Sequence, residues 1–222
     1  MEHTVRAVDE ELKALRRDVV SLGELAVRQV RAAVDAFARH DAAAAAEIAA
    51  ADARLDALDT DIENRAVLFI ALRQPMADDL RRPIVAMKTA MQLERCGDLA
   101  KNIAKRVGRM EGAAASDPAA SIARLGSLVA ERLGAVVAAF GADDADGAYQ
   151  VWSRDTDVDA RHEEAMREVM TCMSGGSGSL GDCTHLLFIA KNLERIGDHA
   201  TNIAELVHYQ LTGDDLTDRP KL

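Results

Sequence analysis

The sequence predicts an all-α protein, built as two tandem antiparallel three-helix bundles related by internal duplication. Three observations carry this. The chain is rich in alanine and has only 4 prolines in 222 residues, a composition that favours long helices over sheets. Breaks are few. A 17-residue segment also recurs: MQLERCGDLAKNIAKRV at 91–107 and KNLERIGDHATNIAELV at 191–207 share ten identities at an offset of 100. Such self-similarity marks a duplicated structural unit.

Each element follows from its punctuation. Gln74-Pro75, the stretch Glu111 to Pro118, and the glycine-serine run 174–178 separate strongly periodic segments, with weaker breaks at Arg39–Asp41 and Gly141–Asp144. Between them the spacing predicts six helical stretches, over 5–39, 41–72, 77–111, 119–141, 143–173 and 180–211. Short connections between helices of about 40–50 Å imply antiparallel neighbours. Pro83 predicts a kink or a late start in the third stretch. A fainter match at an offset of 103 pairs Phe37 with Phe140, Asp52 with Asp155 and Asp56 with Asp159. The duplication therefore divides the chain into a first bundle over 1–115 and a second over 116–222.

Composition narrows the functional classes. Acids exceed bases by 37 to 27, giving a net charge of −10, and only 7 residues are aromatic. That balance repels phosphate backbones and leaves few stacking platforms, so no nucleic-acid partner is expected. No leader is visible at the N-terminus, and no run of 18 apolar residues suggests a membrane span. Cys96, Cys172 and Cys183 form no CxxC pair, which points to a reducing, cytoplasmic setting.

Carboxylates are the chemically informative residues. A turn of 100° per residue puts Glu94 and Asp98 on one flank of the third helix, beside an apolar face of Leu93, Cys96, Ala100, Ile103 and Val107. Asp52, Asp56, Asp59 and Glu63 line the matching flank of the second helix, whose apolar face is Leu55, Leu58, Ile62 and Phe69. Antiparallel packing turns both stripes towards one groove. The second half repeats the pattern with Asp155, Asp159 and His162 facing Glu194 and Asp198. A solvated acidic face is the plainest account of one such stripe. Like charges at i,i+4 cost about 0.2–0.5 kcal/mol each, however, and Gly97 and Gly197 each cost about 1 kcal/mol inside a helix. A bound cation would relieve the repulsion, and oxygen ligands suit hard or iron-type metals better than zinc. Lys101 and Lys105 could instead neutralise the first copy. Their counterparts, Thr201 and Glu205, cannot.

Enzyme motifs are weak. Glu205-Leu-Val-His208 has the Glu-x-x-His spacing of di-metal carboxylate bundles, but its repeat partner is Lys105-Arg-Val-Gly108. Phosphate-loop, nucleophile-elbow, dinucleotide and zinc-protease motifs do not occur. No enzymatic activity is expected. The runner-up is a metal-dependent carboxylate enzyme or a metal-storage helical bundle, and a helical scaffold with merely solvated acids is a third reading. Cys96 is Ile196 in the other copy, which marks it as a packing residue.

LERCGDLAKNIA and LERIGDHATNIAE, with ALRQPMADDLRRPI upstream of the first, resemble the signature of the PhoU family of phosphate-signalling regulators, over nearly the whole chain. The resemblance implies a cytoplasmic helical homodimer that restrains phosphate-starvation signalling and phosphate uptake. Its implied partners are the ATPase of the phosphate ABC transporter and a sensor histidine kinase, with membranes reached only through them. It also implies metal clusters on E/D-x-x-x-D motifs, here Asp52 with Asp56, Glu94 with Asp98, Asp155 with Asp159 and Glu194 with Asp198. Iron, manganese, zinc and magnesium are the candidate ions. The second half departs from the pattern, because SGGSGSLGDCTH stands where ALRQPMADDLRRP stands in the first.

Overall fold

Eight α-helices make up the described residues, which are 2–50, 53–111, 116–176 and 179–216 of a computed structural model. They are α1 (Glu2–Arg39), α2 (Ala42–Ala50), α3 (Ala53–Arg73), α4 (Asp78–Val107), α5 (Ser116–Ala142), α6 (Ala145–Ser153), α7 (Thr156–Gly175) and α8 (Leu180–Thr212). No strand occurs among the described residues. The all-α, tandemly duplicated architecture is thus as the sequence predicts. Six stretches become eight because the middle helix of each half is broken, into α2 and α3 and into α6 and α7.

The second break lies at Arg154–Asp155 and has a side-chain cause. Asp155 is buried and accepts a 2.7 Å hydrogen bond from the Thr201 hydroxyl on α8. A short acidic side chain held inwards in this way competes with continuation of the helix. The first break falls at 51–52, outside the described residues. Pro83 does not delay α4, which begins five residues earlier and runs through it.

The repeat is exact enough to reproduce its punctuation. His40 and Asp143, 103 residues apart, each end the first helix of a half with a positive φ of 52°. The next equivalent pair, Asp41 and Asp144, caps the following helix: Asp41 accepts from the Ala44 N–H and Asp144 from the Gly147 N–H, each at 2.9 Å. Such N-caps contribute about 1 kcal/mol each.

Helices α1, α4, α5 and α8 form the centre, where α1 packs on α5 and α4 on α8. Helices α2 and α3 cover the first half, and α6 and α7 the second. Buried side chains of both halves join in a single apolar cluster that includes Phe37, Leu55, Leu93, Leu133, Trp152 and Ile189. The crossing of α1 and α5 is reciprocal. A Cβ on Gly23 would fall 2.6 Å from Val137, and one on Gly126 would fall 2.6 Å from Val34. Both pairs are related by the same 103-residue offset, so the duplication governs the packing between the halves as well as within them. Helix α5 is long and apolar enough by composition to cross a membrane, which the absence of an uninterrupted apolar run had not suggested. Here it packs against α1, α6, α7 and α8.

Polar contacts also tie the halves together. The Asp182 carboxylate accepts from the Glu111 N–H at 3.0 Å, His199 Nδ1 lies 2.6 Å from Gln92 Oε1, and Arg106 stacks 3.9 Å from the Phe188 ring centroid.

Candidate functional site: two acidic faces

In the second half, the start of α7 lies against the middle of α8. Gly197 permits this approach, since a Cβ there would sit 2.9 Å from Val158. Asp155 is buried, and Asp159, one turn on, is exposed. Across from them Glu194 is half-buried. Its Oε1 accepts from Lys191 Nζ at 2.7 Å, while its Oε2 is buried without a hydrogen-bond partner. His162 Nε2 is likewise buried and unpartnered. Asp198 registers the assembled charge. Burial, followed by Glu194, Asp155 and Asp159, pushes its carboxyl up to about 6, with Lys191 opposing. Asp155, Asp159, Glu194 and Asp198 are therefore brought within electrostatic reach of one another, as the repeat predicts.

The first half is built alike but neutralised differently. Asp52 lies outside the described residues. Asp56 is exposed in the first turn of α3. Glu94 is held above its ordinary range by burial, then by Asp98, and less by Asp59, with Arg95 opposing. Asp59, the positional equivalent of His162, is raised by burial and by Glu63 and Asp56. Asp98 accepts from Lys101 Nζ at 2.6 Å, and Arg95 lies 4.0 Å away. Lys101 thus supplies the neutralisation that its position predicts. Thr201, at the equivalent place, turns to Asp155 instead.

As placed, no three His, Cys, Asp or Glu side chains converge on one point among the described residues. The second half nonetheless offers what a cation needs, a buried carboxylate oxygen without a partner beside like-charged neighbours. Glu205 and His208 do not act together: the Trp152 Nε1–H donates to Glu205 at 3.0 Å, and His208 Nδ1 lies 3.1 Å from the Asp214 carbonyl. Cys96 is fully buried and its thiol is pushed upward by desolvation, as a packing residue should be.

Two features escaped the sequence. Gln29 is buried, with neither side-chain amide atom hydrogen-bonded among the described residues, and its Oε1 would lie 3.0 Å from a Cβ on Gly97. Its equivalent, Arg132, is also buried but pairs with Asp157 at 2.9 Å. The offset of 103 was the available signal, because it aligns a glutamine with an arginine on otherwise apolar faces.

Comparison with known proteins matches this architecture throughout. The family model for the PhoU domain fits twice, over residues 19–107 and 122–207. The chain belongs to the PhoU family. A curated PhoU relative, the phosphate-specific transport system accessory protein PhoU homolog of Caulobacter vibrioides, is 50% identical over all of this chain and 97% of its own length. The relative of the same description from Zymomonas mobilis is 41% identical over 99% of this chain and 92% of its own. The crystal structure of PhoU from Pseudomonas aeruginosa superposes with a TM-score of 0.88 at 32% identity, covering 93% of this chain and 99% of that one. The phosphate transport system regulatory protein PhoU from Streptococcus pneumoniae gives 0.87 at 28% identity, covering 95% and 99%. Both PhoU domains carry the LERxGDxxxNIA face on their last helix, α4 in one and α8 in the other.

Proposed function

We propose that the protein is a non-enzymatic accessory regulator of the phosphate-specific transport system. It restrains phosphate uptake and phosphate-starvation signalling by docking on the transporter's ATPase and on a sensor histidine kinase, from the cytoplasmic side and as a homodimer. The observation that carries this reading is the end-to-end match to PhoU accessory proteins, combined with duplicated acidic faces in both halves. The relatives are named for an accessory role, which supports docking over catalysis. A helical body with faces on opposite halves suits simultaneous contact with two partners.

The acidic faces belong to this reading as metal sites. Asp155, Asp159, Glu194 and Asp198 would hold an iron, manganese, zinc or magnesium ion in the second half, and Asp52, Asp56, Glu94 and Asp98 one in the first. Bound there, an ion would cancel the like-charge repulsion and clamp the middle helix of each half to the last. The partnerless Glu194 Oε2 supports the second site more strongly than anything supports the first, where Lys101 already occupies Asp98.

Deletion of the gene tests the regulatory reading. Phosphate uptake and phosphate-responsive expression become insensitive to external phosphate if it holds, and unchanged control in the deletion strain rejects it. Metal analysis of protein purified without chelator tests the sites, with stoichiometric metal in the parent and loss in Asp98→Asn/Asp198→Asn expected.

A further inference from the structure

The hairpin of α3 and α4 ends in apolar side chains that the fold does not use. Val67, Leu68, Leu72 and Met76 are 51%, 56%, 69% and 82% exposed. Two grooves flank this part of α3. One, of about 420 Å³, lies towards α4 and is lined by Val67, Ile70, Ala71, Ile84, Met87 and Lys88. The other, of about 170 Å³, lies towards α1 and contains Leu68, Phe69 and Leu72. Clustered exposure of large apolar groups marks an interaction surface, whereas scattered exposure does not.

The internal repeat supplies a control. At the equivalent positions of α7, Leu68 becomes Thr171, Ala71 becomes Ser174 and Leu72 becomes Gly175. The second half folds the same way without this apolar tip, so bundle packing does not demand it. Phe188, the large exposed apolar group on α8, is already covered by the Arg106 guanidinium.

Charge defines the partner. Residues 65–91 carry five bases, Arg65, Arg73, Arg81, Arg82 and Lys88, against two acids, Asp78 and Asp79, in a chain whose net charge is −10. Arg65 and Arg73 are engaged by Asp18 and Glu11 of α1. Arg82 and Lys88 are exposed and make no ion pair among the described residues. A second copy meeting this tip about a two-fold axis would oppose like charges. The chain's overall negative charge disfavours anionic lipid. What fits is a protein surface with apolar side chains framed by carboxylates.

We infer that the α3–α4 tip is the single docking site for the phosphate transporter's ATPase, seating an acidic, apolar ridge of that subunit along α3. This rests on the accessory-protein reading above and adds to it the surface and its one-sidedness. The second half, with its glycine-serine loop, offers no equivalent.

The test uses the full-length protein and the purified transporter complex in detergent, with affinity read by biolayer interferometry. Leu68→Asp/Leu72→Asp alters only exposed positions, and circular dichroism and melting confirm its fold. It weakens binding at least tenfold, as does Arg82→Glu/Lys88→Glu, and the affinity of the parent falls as salt is raised. Met170→Asp/Leu180→Asp on the other hairpin stays within twofold of the parent. Parent-like binding by the α3 variant overturns the inference and leaves the accessory-protein reading standing. Absence of binding by the parent overturns both. Should the α3 variant instead turn a dimer into a monomer in sedimentation, or lose affinity for phosphatidylglycerol vesicles, with ATPase binding intact, the tip belongs to a second copy or to lipid and the inference fails.

Discussion

Asp198→Asn measures the electrostatic cost of the second acidic face. The Asp198 carboxyl is raised from its ordinary 3.8 to about 6, by burial first and by Glu194, Asp155 and Asp159 next. An acid whose pKa is higher in the folded state binds more protons folded than unfolded. Stability then falls as pH rises from about 4 to about 6 and stays low above that. At full value the gap corresponds to about 3 kcal/mol. Asp198 keeps open access to water, and screening reduces this to about 1 kcal/mol. Replacing it with asparagine removes the penalty at pH 7.5 and nothing at pH 4. For a chain of this length the variant should melt about 2–4 °C above the parent at pH 7.5 in chelator, with coincident curves near pH 4. Adding manganese or ferrous iron should reverse the order, because binding to the native parent stabilises it through linkage. Thermal unfolding at both pH values, with and without metal, reads all of this. A variant that melts below the parent in chelator at pH 7.5, or whose advantage is the same at both pH values, refutes the electrostatic reasoning.

Other perturbations separate packing from charge. Gly197→Ala should destabilise the protein by about 1–3 kcal/mol through overpacking against Val158, despite the better helix propensity of alanine, and a rise in denaturation midpoint would contradict the close approach. Thr201→Val removes a hydroxyl donor from buried Asp155 and should cost about 1.5–3 kcal/mol in urea unfolding, whereas Thr201→Ser should retain most of the stability. All three cysteines are buried, so they should react slowly with a thiol reagent in the native state and completely in denaturant; rapid native labelling of Cys96 would place it outside the core.

The acidic stripes were readable in the chain because i,i+4 spacing fixes which residues share a helix flank. Their approach between helices was readable because the same rotation from the apolar face recurs on both partners. Asp59, the α3 acid that Glu94 feels, stood in the predicted stripe. The different fates of Asp98 and Asp155 followed from Lys101 and Thr201, whose reach can be estimated from their place on the helix. Less accessible were the break before α7, the stranded amide of Gln29 and the bare tip of α3. Each depends on a neighbour brought in from a distant part of the chain.

Sequence alone determined the helical class, the duplication, the family and the membership of the two acidic faces. Those properties are periodic or local, and helix geometry converts them directly into positions around an axis. Tertiary structure decided that the two halves share one core through the reciprocal Gly23–Val137 and Gly126–Val34 contacts, that Glu194 Oε2 is sealed without a partner, and that Leu72 remains in water. Burial is set by what packs on a face, and a helix cannot encode by itself which of its apolar residues a neighbour will cover.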